Sequence, residues 1–162
     1  MKKFWIFLFL LMLLLHGCGY SLHSHASLPF REIAIDMIEN RTIEPGLQDM
    51  LHRAVVEEFM RQGISVSPSA GHRLSAVIRN FDMPSLSEKG GFSREYRVIV
   101  NVDFAVTDES GQKRYFKNVG SPFMVPFAGS DDLGRLLATK RMAQEDALRD
   151  VAQQLTGLLI YK

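Results

Sequence analysis

The sequence predicts an α+β fold. It is a two-layer sandwich in which a four-stranded, mostly antiparallel sheet carries two helices on one face, in the order β-α-β-β-β-α. Three observations predict it. Residues 95–107 alternate apolar and polar side chains with period two, the mark of a half-buried strand. Residues 45–62 and 130–160 place apolar side chains three and four apart, which gathers them on one stripe of a helix. The chain has 162 residues and no fixed-period repeat, so these elements have room for one layered core and little more.

A different kind of segment precedes the domain. Lys2 and Lys3 lead into an unbroken apolar run, Phe4–Leu15, followed by His16-Gly17-Cys18. A membrane-spanning helix needs about 20 apolar residues, and this run has 12. A basic start, a short apolar core and a small residue at the cut make a secretory signal. Residues 1–17 are therefore predicted to be a signal peptide. Leu15 three places before Cys18, with Gly17 next to it, resembles a bacterial lipobox, although His16 stands where a small or β-branched residue is usual. In such proteins the cysteine thiol takes a diacylglyceryl group and the new N-terminus is acylated, giving a palmitate-type anchor.

A lone cysteine can also pack as a small buried hydrophobe, but the position of Cys18 favours lipidation. Each buried methylene contributes about 0.8 kcal/mol, so three acyl chains hold firmly where one would not. Gly19 after Cys18, rather than Asp, resembles the outer-membrane class of lipoproteins. Loss of Lys2 and Lys3 leaves 17 basic and 18 acidic residues, a net charge of −1. That balance gives no electrostatic reason to expect nucleic acid.

Residues 18–30 read as the lipidated N-terminus and a polar tether. His23 and His25 form an H-x-H pair without a third ligand at useful spacing, so no metal site is expected there. The domain proper covers residues 31–162. Arg31–Ile38 alternates, with Ile33, Ile35 and Met37 on one side, and reads as the first strand. Pro45 belongs at or near the first position of the next helix, where its missing N–H costs nothing. Leu47, Met50, Leu51, Ala54, Val55 and Phe59 form that helix's stripe, interrupted by Glu58, and Gly63 supplies a left-handed stop.

Leu74–Asp82 is the second strand and Glu95–Thr107 the third, separated by a long connection, Met83–Arg94. Asp108–Gly111 turns the chain, and Tyr115–Val125 returns antiparallel with Tyr115 and Val119 on one side. Pro122 confines the far end of that strand to an edge or a bulge. Ser130 can cap the last helix, with Asp131 and Asp132 favourably placed against its dipole. Leu133, Leu136, Leu137, Lys140, Ala143, Ala147, Val151, Leu155 and Leu158 then share a stripe over about 30 residues, roughly 45 Å. That is long enough to cover the sheet and extend past it.

A search for catalytic chemistry finds none of the usual sets. There is no G-x-S-x-G elbow, P-loop or G-x-G-x-x-G. The paired carboxylates, Glu57-Glu58 and Asp131-Asp132, read as helix surface and helix N-terminus. A non-enzyme without a cofactor is the expectation. The surface is more informative. Lys89 and Arg94 sit in the Met83–Arg94 connection, Arg97 follows on the strand, and Leu86 and Phe92 lie beside them. Guanidinium groups pair phosphate bidentately, so this tip suits an amphipathic anion. A solvated hairpin tip is the plainer alternative.

Four short motifs now combine with the element order: Cys18-Gly19-Tyr20-x-Leu22, Leu28-Pro29, Pro45-Gly46-Leu47 and Arg94-Glu95-Tyr96-Arg97. Together they resemble the lipopolysaccharide-assembly lipoproteins, the LptE (RlpB) family, over nearly the whole mature chain. The resemblance implies an outer-membrane lipoprotein that plugs the LptD β-barrel, aids its assembly and binds lipopolysaccharide in transit. Such a plug must be rigid and polar outside to fill a wet lumen. It also implies that Lys89 holds the place of a basic residue contacting lipopolysaccharide phosphates, and that Arg135 matches a second basic position approximately. Lys for Arg keeps the charge and loses the bidentate fork. Lys89, Arg94, Arg97 and Arg135 are thus the candidate binding residues, with Cys18 as the lipidation site. A pilotin-like lipoprotein chaperone of a secretion-channel protein is the alternative from a different class.

Overall fold

The structure, a computed structural model, describes residues 30–89, 92–120, 125–130 and 132–161. The predicted signal peptide, Cys18 and the predicted tether lie outside the described residues, as do Pro122 and Asp131. The elements are β1 (Glu32–Asn40), α1 (Leu47–Arg61), β2 (Ser65–Val66), β3 (Arg73–Asp82), β4 (Ser85–Lys89), β5 (Phe92–Thr107), β6 (Lys113–Gly120), β7 (Val125–Ala128) and α2 (Leu133–Tyr161).

The alternation of residues 95–107 becomes the spine of the fold. Val98, Val100, Val102, Phe104 and Val106 of β5 are all buried, as period two requires. β5 is long enough to hold two partners on each edge. β3 and then β4 pair antiparallel along one edge, and β6 and then β7 along the other. β1 lies parallel to β3, and β2 parallel to β1. The class is the expected α+β, but the sheet is mixed and seven-stranded rather than four-stranded.

The extra strands have physical reasons. Residues 85–89 (Ser-Leu-Ser-Glu-Lys) lack the composition of a strand, and by sequence they belong to the long Met83–Arg94 connection. β4 takes its conformation from the overhanging half of β5, whose backbone groups it satisfies. The expected return strand Tyr115–Val125 is instead two strands, β6 and β7. Pro126 is accommodated in β7 because that strand lies at an edge.

Two bulges overturn expected faces. The β1–β3 register shifts between Ile35 and Ile38, which resets the alternation. Ile33 and Ile38 are buried as a result, while Met37, expected inward, is 89% exposed. In β6 the register shifts opposite Val102–Phe104, and Asn118 takes φ 56 there. Phe116 and Val119 therefore turn inward and Tyr115 is 65% exposed.

α1 buries Leu47, Leu51, Ala54, Val55 and Phe59 on its predicted stripe. Each of these leucine, valine and phenylalanine side chains contributes about 1.5–3 kcal/mol. Pro45 is not the first helical residue: Gly46, at φ 80, is the N-cap and Pro45 precedes it. Gly63 at φ 77 ends the helix as expected. Glu58 is a correction to the surface reading of Glu57-Glu58, for it is buried. Arg61 Nη1 donates to its Oε2 at 2.7 Å and Gln62 Nε2 to its Oε1 at 2.9 Å, which makes that burial tolerable.

Both helices pack on one cluster of buried side chains. α2 contributes Ala143, Ala147, Leu148, Val151, Leu155 and Leu159. Its capping acceptor is Asp132, whose Oδ1 receives the Arg135 N–H at 3.2 Å; the Ser130 hydroxyl oxygen in turn receives the Asp132 N–H at 3.1 Å. Leu133 and Leu137, on the same stripe, are 67% and 54% exposed. The first turns of α2 thus extend past the core, as its length predicts.

Candidate functional site

The overhanging half of β5 builds one end of the molecule. Its pairs with β4 are Tyr96↔Ser85, Glu95↔Ser87, Ser93↔Glu88 and Phe92↔Lys89. Lys89 and Arg94 therefore belong to a paired hairpin rather than a loose connection. Arg94 falls where the ladder steps from Glu95 to Ser93, which places it at a bulge. The side chains of Lys89 and Arg94 lie outside those described.

Arg97 is held by main chain from both sides. Its N–H donates to the Pro84 carbonyl at 3.2 Å, and its Cα pairs with that of Pro126 in β7. Beside it the rings of Tyr96 and Phe127 stack with centroids 5.2 Å apart and planes 19° from parallel. β7 leads through the Gly129-Ser130 break into α2, and α2 packs on β7. The structure thus brings Lys89, Arg94 and Arg97 onto one hairpin. Arg135 is not on it: it is exposed on the first turn of α2, beyond β7.

One cluster that the sequence reading missed positions this end. Glu44, in the β1–α1 loop, receives Lys140 Nζ at 2.8 Å on Oε1 and at 2.9 Å on Oε2, and Gln144 Nε2 at 2.8 Å. Asn40 Nδ2 donates to the Glu44 carbonyl at 2.7 Å, and Lys140 Nζ stands 5.8 Å from the centre of the Phe81 ring. The signal was present in the chain, because a lysine on the apolar stripe of a helix needs a carboxylate to receive it. The clamp sits where buried helix gives way to exposed helix. Beyond it come Leu137 and Leu133, and Ile43, the neighbour of Glu44, is fully exposed. Exposed Leu133 and Leu137 on the same turns as Arg135 fit a ligand that is both greasy and anionic.

Perturbed carboxylates lie elsewhere and serve the fold. The Asn118 N–H, with Arg79 beside it, holds the Asp103 carboxyl below the usual aspartate range. The Ser110 hydroxyl, with the Gln112 and Ser110 N–H groups, does the same for Asp108 in its turn. The Arg41 guanidinium lowers the exposed Glu39. His72 stacks on Phe30 with centroids 4.9 Å apart, and His52 is exposed as expected. Among the described residues no three His, Cys, Asp or Glu side chains gather as a metal site, and no helix is long and apolar enough to cross a membrane.

Comparison with known proteins adds the family. Residues 30–160 match the family model described as LptE, lipopolysaccharide-assembly. No curated protein matches the chain in sequence. Among solved structures, a Caulobacter crescentus protein assigned to the lipoproteins is similar at 17% identity, with a TM-score of 0.54, covering 76% of this chain and 88% of its own. The minor lipoprotein of Acinetobacter baumannii is similar at 15% identity, with a TM-score of 0.50, covering 82% and 92%. At such identities the likeness is one of fold.

Proposed function

The chain belongs to the LptE family of lipopolysaccharide-assembly proteins, and on that premise we propose that it is a non-catalytic subunit of the lipopolysaccharide export machinery. In this reading Cys18 carries the acyl chains that tether the domain to the periplasmic side of the outer membrane. The domain plugs the LptD β-barrel, aids its assembly and binds lipopolysaccharide on its way to the cell surface.

The observation that carries the binding step is the make-up of one end of the fold. A basic hairpin with Lys89, Arg94 and Arg97 adjoins β7, and the projecting start of α2 adds Arg135 beside exposed Leu133 and Leu137. Cations meet the phosphates and apolar side chains meet the acyl part. The rigid support comes from the paired strands and the Glu44–Lys140 clamp. Lys89→Glu combined with Arg94→Glu tests it. Binding of purified lipopolysaccharide to the full chain should fall at least about tenfold, more at low salt than at high, while Tm stays unchanged. Unchanged binding removes the hairpin from the mechanism. Mass spectrometry of the native N-terminal peptide tests the anchor: a triacylated Cys18 is expected, and an unmodified Met1 start would refute it.

A further inference from the structure

The edge of the sheet opposite β6 carries a second feature. β2 covers only the beginning of β1. Ser65 N–H donates to the Arg31 carbonyl at 2.9 Å and Ser67 N–H to the Ile33 carbonyl at 3.0 Å. Pro68 follows and has no N–H to offer. Among the described residues the outer ladder of β1 therefore ends at Ile33. Strand groups alternate between edges, so the next outward-facing pair belongs to Ile35.

α1 runs above this edge and leaves an apolar groove. Its wide part, about 760 Å³, is lined by Ile35, Val56, Met60, Ile64 and Val66. A narrower part of about 240 Å³ continues past Met37 and Ile38 toward Asp49, and Ile35 and His52 belong to both. Met37 and Met60 are largely exposed on its rim. A free main-chain edge beside a greasy helix wall is the shape into which an extended peptide adds as a strand. The stretch Ala34–Asn40 is long enough for a strand of five or six residues, which must follow the bulge between Ile35 and Ile38.

We propose that β1 and α1 form a docking groove for an extended segment of another polypeptide, with an apolar side chain in the wide part and a lysine or arginine in the narrow part. Charge selects that occupant. Asp49 and Asp36 border the narrow end; Arg73 holds both oxygens of Asp36, which leaves Asp49 to receive the incoming cation. A second copy of this chain is a poor fit, because Ile35–Asn40 carries Asp36 and Glu39 and no basic residue. Antiparallel self-pairing would set acid against acid.

The test uses the full chain anchored in lipid nanodiscs and a fluorescein-labelled octapeptide that alternates valine and threonine around one lysine. Saturable binding is expected. N-methylation of the amides along one peptide edge should weaken it about tenfold or more, since main-chain hydrogen bonds supply the affinity. N-methylation along the other edge should not. Met60→Lys, at an exposed position, should weaken binding about tenfold with Tm unchanged. Ile35→Pro, which removes the outward N–H, should weaken binding as well, measured below its lowered Tm because Ile35 also packs against the core. No saturable binding, or equal binding of both N-methylated peptides, overturns the proposal. So does a monomer–dimer equilibrium that Met60→Lys abolishes, because the occupant would then be a second copy.

Discussion

Glu44 and Lys140, 96 residues apart in the chain, meet at 2.8 Å with each side chain about four-fifths buried. The pair ties the loop before α1 to the point where α2 leaves the core. Gln144 and the Phe81 ring complete the surroundings. A charge so placed is tolerable only with its partner. Glu44→Ala should cost about 1–3 kcal/mol and lower Tm by several degrees. Glu44→Met with Lys140→Met should recover most of that loss, as seen by thermal denaturation of the single and double variants.

Asp103 makes stability depend on acid. Its Oδ1 accepts the Asn118 N–H at 2.8 Å and its Oδ2 accepts Arg79 Nε at 2.8 Å. These contacts lower its pKa in the folded state. The group therefore contributes stability that is fully present above the ordinary aspartate value of about 4. The contribution is lost as pH falls through the lower, folded value. Asp103→Asn should cost about 1 kcal/mol at neutral pH and flatten the acid limb of a urea-denaturation series between about pH 2 and pH 6.

Asn118 supplies the backbone conformation of the β6 bulge at φ 56. Asn118→Gly keeps the N–H that Asp103 accepts and relieves the left-handed constraint, so stability should change by less than about 1 kcal/mol. Asn118→Val keeps the same N–H and cannot adopt that φ cheaply. It should cost about 1–2 kcal/mol, measured by urea denaturation. Equal effects of the two substitutions would show that the bulge is not held by backbone conformation.

The projecting turns of α2 separate binding from folding. Leu133 and Leu137 are mostly exposed, so Leu133→Ser with Leu137→Ser should leave Tm within a degree or two. The same double variant should weaken lipopolysaccharide binding several-fold, because apolar area on the acyl side is lost. Leu148→Ala, in the core of the same helix, should instead cost about 2–5 kcal/mol.

What the sequence disclosed and what it withheld divide along one physical line. The stripe of α1, the alternation of β5, the Gly63 stop and the length of α2 depend on patterns internal to each segment and are legible; which end of α2 projects is not. Alternation alone puts Met37 and Tyr115 on the wrong faces, because each follows the register of a partner strand and a single bulge reverses every side chain beyond it. β4 was invisible for a related reason, since its strand state is conferred by the unpaired half of β5. The site divides the same way. Lys89, Arg94 and Arg97 stood out as cations near a turn and fall on one hairpin. The Glu44 clamp joins residues from opposite ends of the domain, and only Lys140 on an apolar stripe hinted at it.

Co-purification tests the central claim most directly. The native chain, extracted with mild detergent from outer membrane, should bring down the LptD β-barrel in equal stoichiometry with lipopolysaccharide bound. Recovery of the acylated chain without that barrel, or with a secretion-channel protein in its place, would contradict it.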